Sequence, residues 1–187
     1  MSRQEIRLSG FGGQGIVLAG QIIGQAAAIY DKGFATLTQS YGPEARGGAC
    51  SAEVVISRKP VGYPYAVNPQ VVVTLSQEAY TKHGRGLPAG TLLIIDPDLV
   101  KPDPGQNLTT LAVPATRMAQ EMGRSVVANI VMLGFLAATT DLVSSEALQK
   151  SIMASVPKGT GEFNVKAFEL GLRYGLEHGK RRKDPGG

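Results

Sequence analysis

Residues 10–15 read Gly10-Phe11-Gly12-Gly13-Gln14-Gly15, between a short alternating run, Glu5-Ile6-Arg7-Leu8-Ser9, and an apolar, alanine-rich segment from Ile16 to Tyr30. The order predicts a first strand, a glycine turn and a helix, the setting in which a G-x-G-x-x-G pattern carries information. The glycines permit a tight turn and close approach of a ligand to the backbone. The helix then points its free N–H groups and positive dipole end at that ligand, a phosphate being the best match. A turn required only for close helix–sheet packing is the competing reading. Gly10, Gly12, Gly13, Gln14 and Gly15 are therefore candidate cofactor-binding residues.

Working outward, the first helix is expected over residues 14–30, with Ile16, Ala19, Gly20, Ile23, Ala27 and Tyr30 facing the sheet and Gly33 as its C′ residue. Residues 34–38 and 49–57 read as strands joined by too few residues for a crossover helix, so the later one is expected to run antiparallel to the one before. Between them, residues 41–48 read Tyr41-Gly42-Pro43-Glu44-Ala45-Arg46-Gly47-Gly48, a loop. Arg46 has two readings, a fork for a phosphate or carboxylate and a local pair with Glu44. Residues 58–69 hold Pro60, Pro64 and Pro69 and read as an exposed excursion.

The clearest buried strands are 71–75 and 91–95, continuous β-branched and aliphatic runs as parallel sheets favour. Ser76 stands at an N-cap position before a short helix at 77–83 and is also a site candidate. Asp96-Pro97-Asp98 reads as a turn. A weaker strand at 108–113 and helices at 114–122, 126–138, 144–155 and 164–178 complete the chain, with Pro114 as the N1 residue of the first of these. Asn129 interrupts the most apolar helix; it either reaches a backbone group at a site or is a satisfied core amide, and the second reading is preferred. The expected fold is a three-layer α/β/α domain over residues 1–179, Rossmann-like, with a mostly parallel sheet and at least one antiparallel strand.

Composition narrows the function. Of the net charge of +4, residues 180–187 carry +3, which leaves +1 for the rest; the basic run reads as a solvated tail and not a nucleic-acid surface. Tryptophan is absent and aromatics make up 6%, which disfavours base stacking. One cysteine, Cys50, excludes an internal disulfide and a self-contained cysteine-held cluster or zinc site, and fits a cytoplasmic setting. No signal peptide and no membrane span are read. A plain NAD site would place an acid at the end of the second strand, but Thr38-Gln39-Ser40-Tyr41 stands there. No nucleophile–base order and no paired carboxylates stand out, so catalysis by this chain alone is not expected.

The turn at 10–15, together with Ser40-Tyr41-Gly42-Pro43-Glu44-Ala45-Arg46-Gly47-Gly48 and Asn129 within Asn-x-x-Met-Leu-Gly, resembles the gamma subunit of 2-oxoacid:ferredoxin oxidoreductases, a unit similar to domain III of pyruvate ferredoxin oxidoreductase. The likeness runs to about residue 178. These enzymes convert a 2-oxoacid to its acyl-CoA and reduce ferredoxin. The resemblance implies a non-autonomous oxidoreductase subunit that contributes CoA binding and assembly, with the CoA diphosphate at residues 12–15 and with Tyr41 and Arg46 facing CoA or a partner. It places thiamine diphosphate in the alpha/beta part, the 4Fe–4S clusters in Cys-rich parts, and these groups and Mg on partner subunits only; alpha and beta subunits are the expected partners, with a delta subunit as a further candidate and ferredoxin meeting the assembled complex. Residues 38–46 look more like the 2-oxoglutarate type, then the 2-oxoisovalerate type, than the pyruvate type. A stand-alone nucleotide-binding protein and a purely structural assembly subunit are the alternatives.

Overall fold

The computed structural model describes residues 3–41, 49–105 and 108–179. Six strands form one sheet: β1 (Gln4–Phe11), β2 (Phe34–Tyr41), β3 (Ala49–Ser57), β4 (Val71–Thr74), β5 (Leu92–Ile95) and β6 (Thr109–Ala112). Their order across the sheet is β2-β3-β1-β4-β5-β6. Strands β1, β4, β5 and β6 are parallel, while β3 runs antiparallel to both β1 and β2. The expected mixed, mostly parallel sheet is therefore observed. The order of strands and helices along the chain also matches that read from the sequence.

The period-two pattern of β1 sorts the two faces. Ile6 and Leu8 enter the main core with Ala52, Val54 and Ile56 of β3, Val71 and Val73 of β4, and Leu92 and Ile94 of β5. That face is covered by α1 (Ile16–Gln25), α3 (Ala115–Glu121), α4 (Ala128–Thr139), α5 (Ser145–Ser155) and α6 (Gly161–His178), each giving buried residues to the core. On the other face Val72, Leu93 and Ile95 pack under α2 (Gln77–His83) through Tyr80. The second outer layer is thus one short helix plus the connection 58–70, and Glu5, Arg7 and Ser9 of β1 point into this polar side.

Some local expectations shift. Helix α1 ends at Gln25 and continues as a π-helical turn, Ala26–Tyr30, closed by Asp31 N donating to Ala26 O at 2.9 Å. The left-handed residue after it is Lys32 (φ 54), not Gly33. Gly33 is needed for space instead, since a Cβ there would lie 3.2 Å from both Ala27 O and Ser57 O. Tyr30 is only half-buried. Pro114 is the N-cap of α3 and not its N1 residue, and residues 125–127 form a 3₁₀ turn before α4. Residues 180–187, the expected tail, lie outside the described residues.

Helices α4 and α6 touch backbone to backbone at Gly134 and Gly171: a Cβ on Gly134 would run into Phe168 O, and one on Gly171 into Val131 O. Neither carbonyl can rotate away as a side chain would. Gly134→Ala or Gly171→Ala is expected to cost about 3 kcal/mol. Urea unfolding would show this as a lower midpoint at an unchanged slope.

Candidate functional site

The glycine turn is built by its own glutamine. Gln14 N donates to Phe11 O at 3.1 Å, and Gly13 sits at φ 98, which suits the third position of a type II turn. The Gln14 side chain braces both sides. Its Oε1 accepts from Phe11 N at 2.6 Å and its Nε2 donates to Leu75 O at 2.7 Å, tying the turn to the end of β4. Gln14 therefore acts as a strut, and its amide is spent on backbone groups. Gly10 lies in β1 opposite Cys50; a Cβ there would run into Gln14 Oε1 and lie 3.0 Å from Ile16 Cδ1.

Gly15 is the N-cap of α1 and is left-handed, φ 72 and ψ 24. Its carbonyl accepts from Ala19 N at 2.9 Å and from Asn129 Nδ2 at 3.2 Å. A Cβ on Gly15 would collide with the Asn129 side chain. Asn129 is buried, and it reaches a backbone group of the turn, which is the reading the sequence alone ranked second. Among the described residues no side chain caps α1, and no acid stands in its first turn, so none of them takes up its leading N–H groups.

A cleft of roughly 360 Å³ opens beside this turn, lined by Gly13 and Gln14, by Leu75 after β4, by Asp96 and Leu99 after β5, by Thr116 of α3 and by Ser125 and Val126 before α4. It lies outside the carboxyl ends of β1, β4 and β5, where open α/β sheets bind ligands. Its size suits a small molecule or part of a cofactor. Asp96 is a component that the sequence reading treated only as a turn residue. It is fully buried; Oδ1 accepts from Asp98 N at 3.0 Å and Oδ2 from Thr116 N at 2.8 Å, so it secures the first turn of α3. The only sequence signal was an acid directly after an aliphatic strand.

The other candidates are placed differently. Ser76 is a buried cap whose Oγ accepts from Ala79 N at 3.1 Å, and it does not line the cleft. Tyr41 ends β2, is 64% exposed, and donates its hydroxyl to Gln39 Oε1 at 3.2 Å. It pairs with Cys50, which pairs with Gly10, so it stands two strand spacings, about 10 Å, from the turn. Arg46 lies outside the described residues. The loop that carries it departs at Tyr41 and returns at Ala49, directly opposite Phe11. The missing acid after the second strand also has a structural reason. Strand β3 intervenes between β1 and β2, so the end of β2 does not adjoin the turn as it would in a dinucleotide-binding unit.

A second cleft of roughly 330 Å³ lies at the opposite end of the sheet, among Gln4, Asp31, Ile56, Arg58 and Ser144. It contains none of the candidates, and Asp31 there is fully engaged by Ser144 N at 2.8 Å and Oγ at 2.7 Å. Burial and the neighbouring Arg7 and Lys82 charges push His83 down to about 4, and burial pushes up the thiol of Cys50, opposite Gly10, which makes it a poor nucleophile. Among the described residues no group of three His, Cys, Asp or Glu side chains is placed to hold a metal ion, and no helix is long and apolar enough to cross a membrane. The cleft therefore offers backbone amides, hydroxyls and an apolar rim.

The pyruvate ferredoxin/flavodoxin oxidoreductase family matches residues 5–174. The 2-oxoglutarate synthase subunit KorC of Methanocaldococcus jannaschii is 51% identical over 178 residues, covering 94% of this chain and 95% of the relative. A crystal structure of a keto/oxoacid ferredoxin oxidoreductase gamma subunit from Geobacter sulfurreducens superposes with a TM-score of 0.82 at 43% identity, covering 93% of this chain and 99% of that one. The fold also matches part of a 2-oxoglutarate:ferredoxin oxidoreductase from Magnetococcus marinus with 2-oxoglutarate, coenzyme A and succinyl-CoA bound. That TM-score is 0.87 at 23% identity, over 99% of this chain and 32% of the other.

The bond from Asn129 to Gly15 gives a direct check on how the turn is held. Asn129→Ala removes one buried hydrogen bond and is expected to cost about 2 kcal/mol. Asn129→Asp sets a carboxylate against the Gly15 carbonyl and is expected to cost more, about 3–5 kcal/mol near neutral pH. Equal costs in urea unfolding would mean that the amide proton does not hold the turn.

Proposed function

The chain belongs to the pyruvate ferredoxin/flavodoxin oxidoreductase family, and from that premise we propose that it serves as the CoA-holding gamma subunit of a 2-oxoglutarate:ferredoxin oxidoreductase. The complex joins a 2-oxoacid and CoA, releases carbon dioxide, and passes two electrons to ferredoxin. The single observation behind the CoA assignment is the uncapped N-terminus of α1 at the Gly13–Gly15 turn, opening on a cleft at the carboxyl ends of β1, β4 and β5. A diphosphate there would accept from backbone N–H groups and meet the positive end of the helix dipole, an arrangement worth about 0.5–2 kcal/mol.

The cleft's chemistry fits that group. Among the described residues it holds no exposed acid, because the Asp96 carboxylate is buried and bonded on both oxygens. Thr116 and Ser125 supply hydroxyls, and Leu99 and Val126 supply exposed apolar surface for the non-phosphate parts. Tyr41 and Arg46 are assigned in this reading to contact with CoA or a partner subunit. CoA brings the thiol that accepts the acyl group; this chain binds and orients it and moves no proton of its own. With one cysteine in the sequence, the clusters belong to partner subunits, and thiamine diphosphate with its Mg is assigned there too. The preference for 2-oxoglutarate, ahead of 2-oxoisovalerate, follows the relative at 51% identity. A cytoplasmic setting completes the reading.

The test is an assay of the anaerobically purified native complex, reading dye reduction with several 2-oxoacids with and without CoA. Strict CoA dependence and highest kcat/KM with 2-oxoglutarate are expected. Gly13→Ala, which forces a methyl-bearing residue to φ 98, is expected to raise the KM for CoA roughly five- to thirtyfold with little change in kcat. Unchanged KM in that variant would reduce the chain to an assembly subunit. Tight NAD binding without a CoA response would make it a nucleotide-binding protein instead.

A further inference from the structure

Residues 58–70 join β3 to β4 without helix or strand, yet they are pinned across the polar sheet face by charged side chains. Arg3 donates from Nη1 to Tyr63 O at 2.8 Å and from Nη2 to Tyr65 O at 2.7 Å. The almost wholly buried Glu5 accepts from Arg3 Nε at 2.6 Å, and its other oxygen accepts from Val67 N at 2.6 Å and Asn68 N at 2.7 Å. Glu53, paired with Arg7 at 2.8 Å, accepts from Ala66 N at 3.3 Å. Thr36 of β2 donates to Pro64 O at 3.1 Å. Charge-assisted bonds of this kind are about twice as strong as neutral ones, and here they fix residues 63–68 as a strap.

The strap displays apolar groups outward. Tyr63 is 56% exposed, Tyr65 54% and Val67 62%, and the tyrosine rings lie 5.5 Å apart. Phe34, 44% exposed, lies two residues from Thr36 on the same face of β2 and so extends the patch. Lys32, Arg58 and Lys59 are exposed at the same edge, and between Glu53 and Glu78 the sequence has two cations and no acid. Rigid aromatic side chains ringed by charge are what a protein interface centre presents. The sheet face is the one opposite α1 and α4, so a partner there leaves the cleft open.

We infer that the Tyr63–Tyr65–Val67 strap with Phe34 docks a different subunit of the same oxidoreductase, one presenting an apolar surface bordered by carboxylates. A second copy of this chain is disfavoured by charge. In a two-fold contact Lys32, Arg58 and Lys59 of each copy would find no carboxylate within residues 54–77 of the other. The inference rests on the reading of the chain as a subunit and is independent of CoA binding.

The test co-expresses the full chain with its partner subunits. Tyr63→Asp with Tyr65→Asp is expected to leave the unfolding temperature of the full chain nearly unchanged and to reduce its incorporation into the complex at least about thirtyfold. Arg58→Glu with Lys59→Glu is expected to weaken incorporation less and to weaken its dependence on salt. Hydrogen exchange of the unmutated chain covers the case of a misfolded variant: amides of residues 60–68 and 34–36 should gain protection on assembly. Wild-type incorporation by the folded double variant, unchanged exchange at the strap, or crosslinks through Tyr63 between two copies of this chain would overturn the inference. Failure of the unmutated chain to assemble at all would overturn the subunit reading with it, whereas a normal CoA response with an unprotected strap would overturn the docking surface alone.

Discussion

The carbonyl of Gly15, held by both Ala19 N and the Asn129 amide, is the constraint on which the candidate site depends. It joins the start of α1 to the start of α4, elements more than a hundred residues apart in the chain. Gly15 has no alternative there, because its backbone is left-handed and the space a Cβ needs is filled by Asn129. Gln14 adds the second tie, to the end of β4. Together they fix the turn without using the leading N–H groups of α1. Close packing accounts for Gly10 and Gly15, whereas a Cβ on Gly13 would meet nothing within 4 Å, which is the open approach that the proposed ligand needs.

The sheet divides the labour. One face carries aliphatic side chains and five helices, which makes the frame stiff and presents the starts of α3 and α4 and the turn before α1 to one cleft. The other face keeps Glu5, Arg7, Glu53 and Thr36, which would be costly to bury without partners. The strap supplies backbone N–H groups to Glu5 and Glu53 and a C=O to Thr36, while Arg7 pairs with Glu53. A short α2 and an irregular strap thereby do the work of a second helical layer.

Much of this was legible in the sequence because it depends on local pattern. Alternation in β1, the unbroken aliphatic runs of β4 and β5, and the short β2–β3 link set strand number, direction and order along the chain. The cap at Ser76 was equally plain, though capping consumes the hydroxyl that made it a site candidate. What stayed hidden depends on pairing across distance. Only the lateral order shows that β3 separates β2 from β1 and so removes the meaning of an acid after β2. Asn129 and Asp96 look like isolated polar residues until their backbone partners, far away in sequence, are in place. Lys32 holds the left-handed position expected of Gly33, and Gly33 lies instead between two carbonyls. The strap read as an exposed excursion because prolines mark irregular backbone but not what holds it.

The most direct measurement is a structure of the assembled complex with CoA bound. The CoA diphosphate is expected within hydrogen-bonding distance of backbone N–H groups of residues 13–17, at the start of α1, with the rest of the molecule following the cleft past Leu99 and Val126. A diphosphate held by another subunit, with the α1 N-terminus facing only solvent or a protein neighbour, would contradict it.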